Sequence, residues 1–123
     1  MIIVDTSVWV DHLRNDEPDL IALLENQQVL CHPFVIGELA CGNLANRENV
    51  IPLLQNLPRS VIAADEEVLS FIEANNLMGI GIGYIGAHLL ASTRLGLARN
   101  IWSRDKQLHK AAIELELEFT IAH

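Results

Sequence analysis

Three carboxylates stand out by their settings. Asp5 closes the apolar run Met-Ile-Ile-Val, and Asp105 lies three residues beyond Trp102, just after the short apolar pair Ile101-Trp102. Glu38 sits inside Phe-Val-Ile-Gly-Glu-Leu-Ala-Cys, residues 34–41, where a charge is awkward. A buried, unpaired carboxylate is expensive, so such a group needs a cation or strong hydrogen-bond donors. Three of them converge on one spot only if something offsets their repulsion. A hard divalent cation held through carboxylates and water does so, and Mg²⁺ or Mn²⁺ suits this ligand set. Each acid also has a plainer reading. Asp5 can be a helix N-cap, Glu38 can face solvent at a helix edge beside Gly37, and Asp105 can cap the last helix together with Ser103.

The elements that must position these groups alternate. Residues 1–4 read as a buried strand ending at Asp5. Thr6 and Ser7 are expected to cap a helix carrying Val8, Trp9, His12 and Leu13. Pro18 and Asp19 open a second helix, with Leu20, Leu23 and Leu24 on one face. Residues 29–31 are a strand stopped by Pro33, and residues 34–41 a helix ended by Gly42. Residues 50–57 read as helix up to the break at Pro58, and residues 61–63 as a brief strand. Asp65 then caps a helix with Glu66 and Glu67 in its first turn. A helix over 84–95, a strand at 101–102, a helix over 108–117 and a last strand at 119–121 complete the reading. Strand and helix in alternation mean α/β, with a mostly parallel sheet and right-handed crossovers. Chemistry in such sheets gathers at the carboxyl ends of strands, which picks out Asp5 and Asp105. His12, His88 and His109 read as packing or surface residues, and Trp9 and Trp102 as core.

With their neighbours, these acids resemble the motifs of the PIN-domain nucleases, and most of all the VapC toxins of bacterial type II toxin–antitoxin pairs. Ile-Val-Asp5-Thr6-Ser7-Val-Trp resembles the family's opening strand and first acid, with a hydroxyl two residues later. Gly37-Glu38-Leu39 with Gly42 is similar to the second acid on its helix. Trp102-Ser103-Arg104-Asp105-Lys106-Gln-Leu108 is similar to the late acidic motif. The resemblance implies a single PIN domain over residues 1–123, an α/β/α sandwich around a central, mostly parallel sheet. It implies metal-dependent hydrolysis of RNA, with Asp5, Glu38 and Asp105 catalytic and binding Mg²⁺ or Mn²⁺ directly or through water. Thr6, Ser7 and Ser103 then orient those ligands. A cognate antitoxin, an RNA substrate such as tRNA, and a homodimer belong to the same implication. Arg14, Arg94, Arg99, Arg104 and Lys106 hold an RNA backbone if they ring the site, and are solvated helix ends if they do not.

One position departs from the pattern. The family's third acid is expected at X in Gly81-Ile-Gly83-Tyr-Ile-X-Ala87-His88-Leu-Leu-Ala91-Ser92, and here X is Gly86. Losing one ligand weakens metal binding and misplaces the attacking water, and glycine inside a helix costs about 0.5–1 kcal/mol relative to alanine. The expectation is an attenuated or inactive nuclease scaffold. The alternatives are that the other three acids suffice, or that the chain is a non-catalytic PIN module that keeps antitoxin binding and dimerisation. Gly81-Ile-Gly83-Tyr-Ile-Gly86 also fits the dinucleotide pattern G-x-G-x-x-G, with Asp105 near the distance of a ribose-binding acid. That pattern requires a strand immediately before it, whereas residues 69–77 read as helix. A receiver domain would want paired acids after the first strand, and Asp5 has no such partner.

Composition bounds these readings. With 123 residues, half of them hydrophobic and 20% charged, the chain has material for one packed domain and none of the signature of disorder. Sixteen acidic against eight basic side chains, a net charge of −8, argue against a broad basic nucleic-acid face. RNA is compatible with such a chain only through metal. Cys31 and Cys41 allow at most one bridge and lack zinc spacing, which points to reduced thiols and a cytoplasmic location. The opening residues carry no basic n-region, so no signal peptide is expected. Residues 74–93 lack formal charge, but their Asn pair, His88 and four glycines read as a buried helix with a glycine-rich approach, not a membrane span.

Overall fold

Strands β1 (Ile2–Val4), β2 (Val29–Leu30) and β3 (Asn100–Trp102) form a parallel sheet in the order β2-β1-β3, in a computed structural model that describes residues 1–121. Among those residues the helices are α1 (Thr6–Arg14), α2 (Pro18–Glu25), α3 (Pro33–Cys41), α4 (Arg47–Gln55), α5 (Asp65–Asn75), α6 (Gly83–Leu95) and α7 (Lys106–Glu114). The α/β class with a parallel sheet is the one expected. Central strand β1 is apolar at every position because both of its faces are covered, and Ile3 and Val4 are fully buried. Ile3 registers with Leu30 on one side and Ile101 on the other, and Val4 with Trp102. Helix α6 is buried from Gly86 through Thr93. Its Leu89 and Leu90 are wholly buried, each worth about 1.5–3 kcal/mol relative to exposure.

Four local expectations are corrected. Residues 61–63 are not a strand, because the pairing beside β2 falls earlier, in a single bridge between Cys31 and Arg59. Cys31 N–H donates to the Pro58 carbonyl and Ser60 N–H to the Cys31 carbonyl, after which the Ala63 N–H is taken by the Ser92 hydroxyl on α6. Residues 119–121 likewise reduce to one bridge, Ile101 with Glu118. Helix α7 stops at Glu114, and left-handed Glu116 (φ 60°) turns the chain so that Leu117 reaches β3. Asp65 is the first residue of α5 and not its cap. Ala64 holds the cap position, with its N–H bound by Glu67 Oε1 at 2.8 Å.

The segment that fits G-x-G-x-x-G follows helix α5 and a turn, with no strand before it, so the dinucleotide reading is overturned. Gly81 (φ +84°) and Gly83 (φ +69°) serve the entry into α6 instead. Both cysteines are free, and among the described residues no helix is long and apolar enough to cross a membrane.

Candidate active site

Parallel neighbours end at the same sheet edge, so β1 and β3 deliver their next residues side by side. Asp5 N–H donates to the Trp102 carbonyl at 2.9 Å, which fixes the two ends together. The Ser7 and Ser103 hydroxyls both donate to Asp5 Oδ2, each at 2.8 Å. Those hydroxyls also accept: Ser103 Oγ takes the Asp105 N–H at 3.0 Å and Ser7 Oγ the Arg104 N–H at 2.9 Å. Thr6 and Ser7 are the first two residues of α1 and do not cap it. Asp5 holds the cap position, but its carboxylate makes no cap bond. Thr6 Oγ1 instead donates to Glu38 Oε1 at 2.8 Å, joining α1 to α3.

Asp105 does cap α7, as its plainer reading had it. Its Oδ1 accepts from the N–H groups of Gln107 and Leu108, both at 3.0 Å. Helix N-terminal N–H groups favour negative charge there, and Oδ2 is left clear of the cap. Glu38 is exposed, because Val35 and Leu39 take the buried face of α3 and leave Gly37 and Glu38 outside. Of its two readings, the apolar setting is overturned and the solvent-facing helix edge beside Gly37 holds.

Asp5, Glu38 and Asp105, with Thr6, Ser7 and Gly86, line one cavity of about 210 Å³. Asp5 is buried at 7% exposure, while Glu38 and Asp105 lie at the exposed rim. Ile82, Ile85, Leu89 and Leu108 supply apolar walls, and no Lys or Arg lines the cavity. Gly86 is itself buried there. A Cβ built on it would stand 3.1 Å from the Ile82 Cβ and 3.5 Å from Leu108 Cδ1.

The basic residues do not ring the cavity. Arg104 Nη1 donates to Asp11 Oδ2 at 2.6 Å and to Glu17 Oε1 at 2.8 Å, and its guanidinium lies 5.6 Å from the Trp102 ring centre. The Arg104 hydrogen bond holds the Glu17 carboxyl below the usual carboxylate range. Arg94 donates to the Leu115 carbonyl, and Arg14 lines a neighbouring groove that shares Thr6 and Glu38 with the cavity. No histidine lines the cavity either. His88 is buried between the rings of Phe34 and Tyr84, with Nε2 3.4 Å from Asp65 Oδ1. His32, which the sequence offers only beside Cys31 in a pair without zinc spacing, is fully buried. Its Nδ1 accepts the Phe34 N–H and its Nε2 lies 3.1 Å from Ser92 Oγ. Burial, and then the neighbouring His88, push its pKa down to about 4.

The partners of Arg104 were also missed. The i, i+4 spacing of Ser7 and Asp11 puts both on one face of α1, but nothing local in the sequence points that face at Arg104.

The donor set suits a hard cation: three carboxylates and two hydroxyls, with no competing positive side chain among the cavity's residues. Among the described residues no three His, Cys, Asp or Glu side chains stand close enough together to enclose a metal ion. Mg²⁺ does not need such a cage, since it keeps several waters and binds through one or two carboxylates.

No protein-family model matches the chain. Against individual proteins, it is 42% identical over 114 residues to Ribonuclease VapC32 of Mycobacterium tuberculosis, found in two strains, covering 93% of this chain and 92% of the relative. The chain belongs to the VapC family of ribonuclease toxins. For a VapC chain the sheet order has a direct consequence. It sets the first acid and the late acidic motif on adjacent strand ends, and α3 carries the second acid to the same cavity.

Proposed function

We propose that the protein is the toxin of a toxin–antitoxin pair and an endoribonuclease that cuts RNA at this cavity in the presence of Mg²⁺ or Mn²⁺. The observation that carries the reading is the meeting of Asp5, Glu38 and Asp105 in one cavity that no basic side chain lines, in a VapC-family chain. These three carboxylates would hold the cation, directly or through water. When bound, the cation supplies the positive charge that phosphate requires and the acidity that makes water a nucleophile. The protein's own part is orientation. Ser7 and Ser103 hold Asp5, Thr6 holds Glu38, and the first N–H groups of α7 hold Asp105. Residues 1–123 act as one PIN domain in this reading. RNA comes from the name of the relative, and tRNA is the substrate proposed. A cognate antitoxin, a homodimer and a cytoplasmic setting complete the proposal, and the net charge of −8 suits an antitoxin segment rich in Lys and Arg.

Gly86 attenuates the activity in this reading, since it stands in the cavity wall where a fourth acid is missing. The test is to compare the natural chain with Gly86→Asp for RNA cleavage and for Mn²⁺ binding. Cleavage at least tenfold faster in Gly86→Asp, with tighter Mn²⁺, is the expected outcome; the new Cβ requires the backbone at Ile82 to give by a few tenths of an ångström, since the contact is with its Cβ. A variant no more active and no better at binding metal ends the attenuation reading. If neither protein cleaves RNA or binds Mn²⁺, the second reading takes over, a non-catalytic module that binds antitoxin. The loose spacing of the acids and the glycine favour that reading, and a pull-down of the co-encoded partner tests it.

A further inference from the structure

We propose that Arg104 is a positioning residue of the carboxylate site, a clamp that holds the β3–α7 turn on the face of α1 and so keeps two hydroxyls trained on Asp5. The inference rests on the cation-binding reading above. Arg104 is anchored at both ends. Its backbone N–H donates to Ser7 Oγ, and its Nη1 reaches Asp11, one helical turn beyond Ser7, together with Glu17 just ahead of α2. Ser7 in turn donates to Asp5 Oδ2, and Ser103, the residue before Arg104, donates to the same oxygen. The residue after it, Asp105, sends its N–H back to Ser103. Both hydroxyls that donate to the Asp5 carboxylate therefore sit on the two elements that the clamp joins.

Exposed ion pairs contribute little to stability, and this one is open: the Arg104, Asp11 and Glu17 side chains are 36%, 45% and 23% exposed. Its value lies in placement. Groups that orient metal ligands from behind commonly cost 10–100-fold in metal affinity when removed.

The test is Mn²⁺ titration, followed by the electron paramagnetic resonance of the free ion, on the natural chain and on Gly86→Asp. Arg104→Gln is expected to weaken Mn²⁺ about tenfold. Arg104→Lys should recover most of that loss, because a single nitrogen meets both carboxylates. Arg94→Gln breaks an arginine contact far from the cavity and should leave Mn²⁺ affinity unchanged, whatever it does to the melting temperature. Since Arg104 acts through Ser7 and Ser103, adding Arg104→Gln to a Ser7→Ala, Ser103→Ala protein should lose little more than those two substitutions alone. Unchanged Mn²⁺ affinity in a folded Arg104→Gln overturns the clamp and leaves the cation reading standing. No Mn²⁺ binding by either host overturns both. If Arg104→Gln does not fold, Asp11→Asn and Glu17→Gln replace it, and normal affinity in both overturns the clamp equally.

Discussion

At the scale of single residues, the site is built from hydroxyls that work in two directions. Ser103 is buried at 5% exposure, donates to Asp5 and accepts from the Asp105 backbone, so one side chain ties two of the three acids. Ser103→Ala removes a donor from a buried carboxylate and an acceptor from a backbone N–H. The expected loss is about 1–3 kcal/mol of unfolding free energy, read from urea titration monitored by Trp fluorescence. Thr6 and Ser7 show why residue type alone misleads here. Their hydroxyls have the chemistry of helix caps, yet both residues lie inside α1, past its cap position, and donate to Glu38 and Asp5.

At the scale of elements, the entry to α6 decides where Gly86 falls. The turn between α5 and α6 relies on left-handed glycines at 79, 81 and 83, after left-handed Asn76. A Cβ at Gly83 meets nothing within 4 Å, so a substitution there reports backbone conformation alone. Gly83→Ala is expected to cost about 1–2 kcal/mol in chemical denaturation, with the helix content of the folded state unchanged by circular dichroism. The two expected strands that shrank to single bridges belong to this scale too. Residues 61–63 have the composition of a strand, but pairing depends on which backbone groups are still free. By that point Cys31 has bonded to Pro58 and Ser60, and Ser92 has claimed Ala63. No feature within three residues carries that information.

At the scale of the whole molecule, acid stability follows from a histidine outside the cavity. His32 joins the start of α3 to α6 in its neutral form, accepting at Nδ1 and bonding to Ser92 through Nε2. Its folded pKa of about 4 lies below the ordinary value near 6.5, so the unfolded chain takes up this proton first as pH falls. Stability from this source is whole above about pH 6.5 and drains away as pH falls toward 4. By pH 5 the loss reaches roughly 2 kcal/mol. Urea midpoints at pH 7.5, 6 and 5 measure it, and His32→Gln should flatten the dependence over that range. The net charge of −8 is placed unevenly as well. Three of the acids share the cavity, while Asp11 and Glu17 are paired with Arg104 away from its lining.

What the sequence by itself determined was local and near-local. The apolar runs of β1 and β3, the start of α2 at Pro18, the end of α3 at Gly42, the Asp105 cap of α7, the α/β class, and the three acids with their hydroxyl neighbours all follow from residue types within a few positions of one another. Such features are legible because strand and helix impose periods of two and 3.6 residues on burial. Gly86 was legible as a departure for the same reason, since its flanking residues keep the pattern. The tertiary structure alone decided what those residues touch. That Ser103 reaches Asp5 across 98 positions, that Arg104 closes on Asp11 across 93, and that Glu38 lies open at the cavity rim depend on the register of Val4 with Trp102 and on how α3 packs beside α1. Those contacts exist only after the sheet has brought distant strand ends together, and no local periodicity encodes which end will stand beside which.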